Sequence, residues 1–207
     1  MKKLLIIFSV LLLTSCASTK RLTPNDRAAL HSIAVAPHVK VKNHMYIKTR
    51  RGEIGSMLFG LAAIPLAVSA DVYESSRVDD ELYASHIKIR LIVKKAFMAE
   101  LKRQREFKVV PPRAADAKIV LSISKYGLRP YYEYSKRYVP VMDIEAKLID
   151  SNGKVLWRDH YSDNSFDNKL IKKVTLETLE KHPEKIAEYW AILASSISNK
   201  LVSSLLS

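Results

Sequence analysis

The stretch between residues 139 and 158 restricts the fold of this chain more than any other part of the sequence. Residues 139–150 carry apolar side chains at intervals that suit a strand, and Asp150-Ser151-Asn152-Gly153 follows. An Asn-Gly pair favours a tight hairpin turn because both positions accept positive φ angles. Residues 154–158 then return as a partner strand. The sequence therefore predicts an antiparallel β-hairpin here.

Other segments predict the rest of one mixed domain. Short apolar runs bounded by turn-forming residues indicate strands, and longer runs with helical periodicity indicate helices. The order of these segments predicts the α/β (α+β) class: a small mixed β-sheet flanked by helices, with an apolar helical insertion and a C-terminal helix. The predicted strands are 32–37, 107–110, 118–124, 139–150 and 154–158, and the predicted helices are 81–104, 170–181 and the segment from 183 onward.

Two of these helices have a defined apolar side. Lys88, Lys95 and Lys102 lie seven residues apart in the helix at 81–104, so they share its outer face. The expected inward residues of that helix are Ile87, Leu91, Ala96, Met98 and Leu101. The expected stripe of the C-terminal helix is Ile186, Trp190, Leu193, Ile197, Leu201 and Leu205.

The first sixteen residues form an export signal. Lys2 and Lys3 precede an apolar stretch from Leu4 to Leu13, which is shorter than the ~20 residues of a membrane-spanning helix. The sequence Leu13-Thr14-Ser15-Cys16 follows and resembles the bacterial lipobox. The resemblance implies cleavage before Cys16, diacylation of its thiol and further acylation of its amine. Cys16 is the only cysteine in the 207 residues, so no disulfide framework is expected.

A covalent lipid on Cys16 predicts where the chain resides. Two or more acyl chains make membrane anchoring effectively permanent. Ala17 stands where an inner-membrane lipoprotein of a Gram-negative cell usually has aspartate. Its identity implies sorting to the outer membrane, facing the periplasm. We therefore expect a signal peptide at 1–15, a lipidated flexible tether at 16–30, and a single periplasmic domain at 31–207.

The segment from Ile54 to Ala70 contains no charged residue. Its small residues recur at helical spacing, which permits close approach of helices, and Pro65 would kink or end a helix. A buried or subunit-interface helical hairpin is favoured, which makes a homo-oligomer a candidate assembly. A membrane-contacting segment and a mobile apolar loop are the alternatives. The candidate assembly or membrane residues are Gly55, Gly60, Leu61, Ala63 and Ala67.

The order of elements, with Ile33-Ala34-Val35-Ala36-Pro37, Ala115-Asp116-Ala117 and Gly153-Lys154-Val155-Leu156-Trp157, resembles a known group of proteins. These are envelope lipoproteins with a domain similar to the TolB N-terminal domain. The group includes the curli-secretion lipoprotein and lipoprotein activators of peptidoglycan synthases. The resemblance implies a small mixed sheet flanked by helices and a role in secretion, assembly or enzyme activation. It bears on fold more than on function.

The chain is strongly basic, with 34 lysine and arginine residues against 21 aspartate and glutamate residues and a formal net charge of +13. Loss of residues 1–15 removes two lysines and leaves a net charge of +11. Export argues against a nucleic-acid partner. The candidate anions are therefore lipid headgroups, lipopolysaccharide phosphates and acidic proteins. A solvated basic surface without a specific partner is the competing explanation.

The sequence contains neither a Gly-x-Ser-x-Gly elbow nor a His-Glu-x-x-His metal motif. Asp143 and Glu145 lie two apart on one predicted strand and share a face, which makes them a weak carboxylate pair. We expect no enzymatic activity, no metal and no cofactor besides the lipid on Cys16. A hydrolase that acts on an envelope polymer through Asp143 or Glu145 is the least favoured alternative.

Tyrosines and cations are interspersed between Tyr126 and Tyr138. Such mixtures form contact surfaces at low entropic cost, and the alternative is a long hairpin arm whose tyrosines pack on one another. The candidate partner surface is Tyr131, Tyr132, Tyr134, Arg137 and Tyr138.

These features favour a non-enzymatic, lipid-anchored envelope protein that binds a protein partner in envelope assembly or transport. The alternative function is a binding module for an anionic glycolipid or glycan, such as lipopolysaccharide or peptidoglycan.

Overall fold

The computed structural model describes residues 19–42, 45–47, 88–132, 135–163, 170–182 and 184–207. These residues contain a mixture of helices and strands, as predicted. The helices are α1 (Pro24–Ala28), α2 (Ile89–Gln104), α3 (Leu176–Lys181) and α4 (Glu184–Leu206). The strands are β1 (Ser32–Val35), β2 (Lys40–Val41), β3 (Tyr46–Ile47), β4 (Lys108–Val109), β5 (Ala117–Pro130), β6 (Tyr138–Asp150) and β7 (Val155–Asp163).

The strands form one mixed sheet in the order β4-β1-β5-β6-β7, and β2 and β3 pair with β5 as well. β1 runs parallel to β4 and β5, whereas β6 is antiparallel to β5 and β7. Asp116 joins the starts of β1 and β5. Its carboxylate accepts hydrogen bonds from the backbone N–H groups of His31 and Ser32 and from the Ser32 hydroxyl. The predicted small mixed sheet is thus confirmed.

The apolar stripe predicted for the C-terminal helix is confirmed. All six of its residues are at most 2% exposed, and α4 packs against α2 and against strands β6 and β7. Trp190 meets Tyr126 of β5 edge-on, with ring centroids 5.5 Å apart. Burial of each large apolar side chain stabilises the fold by about 1.5–3 kcal/mol, so this stripe explains why the helix lies on the sheet.

The inward face of α2 agrees with the predicted one in part. Leu101 is buried, and Ala96 and Met98 are partly buried against the core, whereas Ile87 lies outside the described residues. The buried residues are Ile89, Val93, Phe97 and Leu101, four apart along the helix, while Leu91 is 50% exposed. Apolar residues are consecutive at 91–93, so the sequence offers more than one stripe. The observed stripe places Phe97 in the core, where an aromatic ring removes the most apolar area from water. The lysines at 88, 95 and 102 are exposed, as predicted.

The segment expected to be a flexible tether at 16–30 is packed on the domain from residue 20 onward. Lys20 pairs with Arg158 at the edge of β7 through two backbone hydrogen bonds of 2.7 and 2.8 Å. Leu22 and Leu30 are buried in the core. Two isolated leucines carry too little signal for composition to reveal this packing.

α1 contacts the C-terminal end of α4. Thr23 caps this helix by accepting a hydrogen bond from the N–H group of Asp26. Arg27 donates from Nη1 and Nη2 to the carbonyl oxygens of Leu206 and Leu205, at 2.9 and 3.0 Å. These carbonyls end α4, where the helix dipole favours a cation. A side chain of the expected tether therefore caps the C-terminal helix.

β5 continues past its predicted end at residue 124 and β7 past its predicted end at residue 158, whereas β6 begins only one residue earlier than predicted. A β-bulge lies between Ile123 and Lys125. The core side of β5 is therefore occupied by Ile119, Leu121 and Ile123 before the bulge and by Leu128 after it. The tyrosine-rich stretch consequently forms the ends of β5 and β6 and the connection between them.

The predicted turn joins β6 to β7. Gly153 has a φ of +84°, a conformation that glycine adopts readily and other residues rarely. The Asp150 carboxylate accepts hydrogen bonds from the backbone N–H groups of Asn152 and Lys154, at 2.9 and 2.8 Å. The turn is therefore fixed by the residues that predicted it.

The predicted helix at 170–181 begins later, at Leu176, where Thr175 caps it. Val174 instead forms a β-bridge with Tyr138, so the residues before α3 run beside the start of β6. Other predictions lie outside the described residues, namely the lipidation site at Cys16 and the apolar segment at 54–70 with Gly55, Gly60, Leu61, Ala63 and Ala67.

Candidate binding surfaces

The two faces of the sheet differ in chemistry. Ile33, Ile119 and Ile144 belong to the single core that includes α2 and α4. Because side chains alternate along a strand, the residues next to each of these isoleucines point to the opposite face of the sheet. The buried residues of α2 and α4, the two long helices of the described chain, belong to that core. We call the opposite face the basic face.

Cations from several strands occupy the basic face in the half of the sheet nearest to the β6–β7 turn. The register pairs Lys108 with Ser32, Lys118 with Ala34 and Ile149, and Lys40 with Ser122. Paired residues point to the same side. The face therefore carries Lys40, Lys42, Lys108, Lys118, Lys147 and Arg158, against the strand carboxylates Asp143 and Glu145.

Glu145 gathers three of these cations. Its Oε1 lies 2.5 Å from Arg158 Nη2 and 3.3 Å from Lys147 Nζ, and its Oε2 lies 3.2 Å from Lys42 Nζ. The Ser122 hydroxyl donates to Oε2 at 3.3 Å. One carboxylate therefore faces three positive charges, from the residue after β2, from β6 and from β7, and the cluster keeps a net positive charge.

This setting fixes the ionisation of Glu145. Burial by itself would raise its pKa, but hydrogen bonds from Arg158, Lys42 and Lys147 outweigh that effect and lower the pKa from 4.5 to about 2. The carboxylate is thus ionised and engaged at neutral pH. A general acid or base needs a pKa near the working pH, so this arrangement suits an electrostatic clamp between strands better than acid–base chemistry.

The other candidate surface is the tip of the β5–β6 hairpin, residues 130–138. Tyr132 is 63% exposed and its ring meets the ring of Tyr131 edge-on, with centroids 5.7 Å apart. Lys173, from the segment before α3, places its Nζ 3.4 Å from the centre of the Tyr131 ring. This cation–π contact and the edge-on ring contact connect Lys173, Tyr131 and Tyr132, and the Tyr132 ring is exposed to solvent.

The structure divides the predicted partner surface. Tyr131, Tyr132 and Arg137 lie at the hairpin tip, where Arg137 is exposed. Tyr138 is only 8% exposed and belongs to the core, and Tyr134 is outside the described residues. Tyr131 and Tyr132 pack on each other, and the exposed Tyr132 ring leaves the partner surface a prediction.

Asp143 and Glu145 share one face of β6, as their spacing predicted. The sequence did not reveal the partners of Glu145, because strand order and register bring Lys42 and Arg158 to it. Within the described ranges, no group of three or more metal-ligating side chains is positioned to hold a metal ion. Nor is any helix among those residues long and apolar enough to cross a membrane.

In comparisons with known proteins, no family model and no curated protein matches this chain. Among solved structures, it is similar to a Xanthomonas campestris protein of the family model DUF330. The identity is 14% over 91% of this chain and 93% of that chain, with a TM-score of 0.46. It is also similar to PelC of Paraburkholderia phytofirmans, solved as a dodecamer. There the identity is 12% over 84% of this chain and 85% of that chain, with a TM-score of 0.30.

Proposed function

We propose that this chain is a non-enzymatic lipoprotein of the bacterial envelope that holds a protein partner at the membrane through the hairpin tip. The exposed ring of Tyr132, supported by Tyr131 and Lys173, is the observation that carries this proposal. Preorganised aromatic side chains beside cations are typical of the central contacts in protein interfaces.

The anchor rests on the lipobox-like sequence that ends at Cys16. Acylation of this residue would hold the domain at the outer membrane on its periplasmic side. Incorporation of radiolabelled palmitate, compared between the parent chain and Cys16→Ala, tests the anchor alone. Equal incorporation into both chains would contradict it.

The position of the tip relative to the anchor suits an adaptor. Lys20, the first paired residue, contacts Arg158, which lies opposite Lys147 of β6. Nine residues separate Lys147 from Tyr138, so the tip lies about 30 Å farther along the sheet. A partner could therefore bind the tip without displacing the anchored end.

Photo-crosslinking in intact cells tests the partner surface. A photo-reactive residue at Tyr132 should give an adduct with one protein, identified by mass spectrometry. The same residue at Leu91, which is also exposed but lies on α2, is the matched control. Identical adducts at both positions, or none with protein at Tyr132, would count against the tip.

A module for an anionic glycolipid or glycan is the second candidate function. It would use the basic face, so its binding should fall steeply as salt screens the lysines. Binding of a protein at the tip would depend more weakly on salt, because an aromatic contact dominates it. Titration of the crosslinked product against salt concentration separates these two functions.

A further inference from the structure

We propose that the basic face is a second membrane contact, which lies against the anionic phospholipid headgroups of the leaflet that holds the anchor. The proposal rests on the lipid anchor of the proposed function, but not on the hairpin tip. It assigns a ligand class to a surface that a tip-binding partner leaves free.

The length of chain between the anchor and the fold is the first argument. Four residues lead from Cys16 to Lys20, and an extended chain of that length reaches about 14 Å. Lys20 is already paired with Arg158 on β7. The lipid would therefore keep the β7 edge of the sheet, where Arg158 belongs to the basic face, within a short distance of the bilayer.

The distribution of charge is the second argument. The exposed lysines of this face come from three different strands and from the residue that follows β2: Lys40, Lys108, Lys118 and Lys42. Glu145, the buried carboxylate among them, is already matched by three cations. The face therefore offers spread positive charge over a broad surface, which fits a planar array of phosphates.

Proximity and charge act together. A polybasic surface held beside an anionic leaflet gains about fivefold in partitioning for each lysine near the headgroups. An anchor that holds the surface there raises the effective concentration of the headgroups. The domain is therefore expected to lie with its sheet toward the bilayer and with α2 and α4 toward the aqueous side.

The experiment measures orientation in reconstituted vesicles. The acylated full chain carries one additional cysteine, at Ser162→Cys on the basic face or at Ser195→Cys on the outer side of α4, and a fluorophore on that thiol. Vesicles contain phosphatidylglycerol and phosphatidylethanolamine with a headgroup-attached nitroxide quencher. We expect strong quenching at position 162 and weak quenching at 195, and the difference should vanish in phosphatidylcholine vesicles or at high salt.

Two triple variants with the same net charge provide the matched comparison. Lys40→Gln, Lys108→Gln and Lys118→Gln remove cations from the basic face, whereas Lys88→Gln, Lys95→Gln and Lys102→Gln remove them from the outer side of α2. The first set should lower the ratio of docked to undocked domain about 100-fold. The second set should leave this ratio almost unchanged.

Several outcomes would overturn the proposal. Equal quenching at the two positions, or equal loss of docking in the two triple variants, would refute the contact between the basic face and the headgroups. Either result would leave the anchor intact. Absence of palmitate from the preparation would overturn both the anchor and this proposal. Docking that requires lipopolysaccharide or peptidoglycan fragments, and not phosphatidylglycerol, would assign the face to a glycan or glycolipid instead. None of these results depends on crosslinking at Tyr132.

Discussion

Arg158 on β7 reaches across to β6 and directs both Nε and Nη2 at one oxygen of Glu145, with Nε 2.6 Å from Oε1. Lys42, the residue that follows β2, approaches the other carboxylate oxygen. Glu145 therefore links strands from both sides of β6 through charge, where the backbone ladder links only neighbours. Its removal should affect stability through electrostatics rather than through packing.

We expect Glu145→Gln to lower the free energy of unfolding at pH 7 by about 1–2 kcal/mol. The estimate is modest because the three cations are 31–55% exposed and water screens them. Since the pKa of Glu145 is depressed to about 2, the parent chain has this stability at pH values above 4.5. It loses the stability as pH falls from 4.5 through 2.

Chemical denaturation at several pH values measures this difference. Glu177→Gln is the control, because the Glu177–Lys181 pair lies fully on the surface of α3 and should contribute little. A difference between Glu145→Gln and the parent chain that stays constant down to pH 2 would contradict the role assigned to the carboxylate.

The buried face of α2 can be tested within one helix. Phe97→Ala should cost about 3–5 kcal/mol, because the ring is fully buried and leaves a cavity. Leu91→Ala should cost less than about 0.5 kcal/mol, because the side chain is half exposed. Denaturant midpoints of the two variants provide the comparison, and similar losses in both would mean that the helix is rotated.

The docking of the N-terminal segment depends on Arg27. Arg27→Gln removes the cation that caps α4 and should lower the free energy of unfolding by about 1–2 kcal/mol. It should also speed tryptic cleavage at Arg21, since the segment would detach more often. Arg21→Gln, a change at an exposed arginine, should leave stability unchanged. Identical denaturation curves for both variants would argue that residues 20–30 are not held in place.

Substitutions of Gly153 in the β6–β7 turn should lower the stability of the fold in a specific order. Gly153→Ala meets no neighbouring atom within 4 Å, so its cost comes only from the positive φ and should be about 1 kcal/mol. Gly153→Asn should cost less, because asparagine tolerates this conformation better. Thermal unfolding of the three chains gives the order, and an alanine variant as stable as the parent would mean that the turn changes its geometry.

The sequence predicted those elements whose signals are local. The apolar stripe of α4 repeats without interruption from Ile186 to Leu205, and the pair Asn152-Gly153 predicts a hairpin turn at its own position. The bulge after Ile123 hid the continuation of β5, because a shift of one residue reverses the apparent alternation. For α2, consecutive apolar residues allowed two stripes, and only the shape of the core decides between them.

The candidate surfaces were harder to predict for the same reason. Tyr131, Tyr132 and Tyr138 look equivalent in sequence, yet the strand begins at Tyr138 and buries it, while the other two precede the strand. Glu145 was predicted to share a face with Asp143, but two of its three cations, Lys42 and Arg158, lie 103 and 13 residues away along the chain. Such contacts depend on strand order, which local pattern does not encode.

The pairing of Lys20 with Arg158 also bears on whether the chain self-associates through a strand edge. Among the described strands, β7 lies at the margin of the sheet, and an exposed margin offers unpaired N–H and C=O groups to strands of other molecules. Lys20 occupies such groups near the middle of β7 with its own backbone. A chain cut just after Lys20 would lose this cover, so we expect the resulting fragment to be aggregation-prone. A cut between Cys16 and Lys20 would leave Lys20 paired with Arg158, so we expect that fragment to stay dispersed.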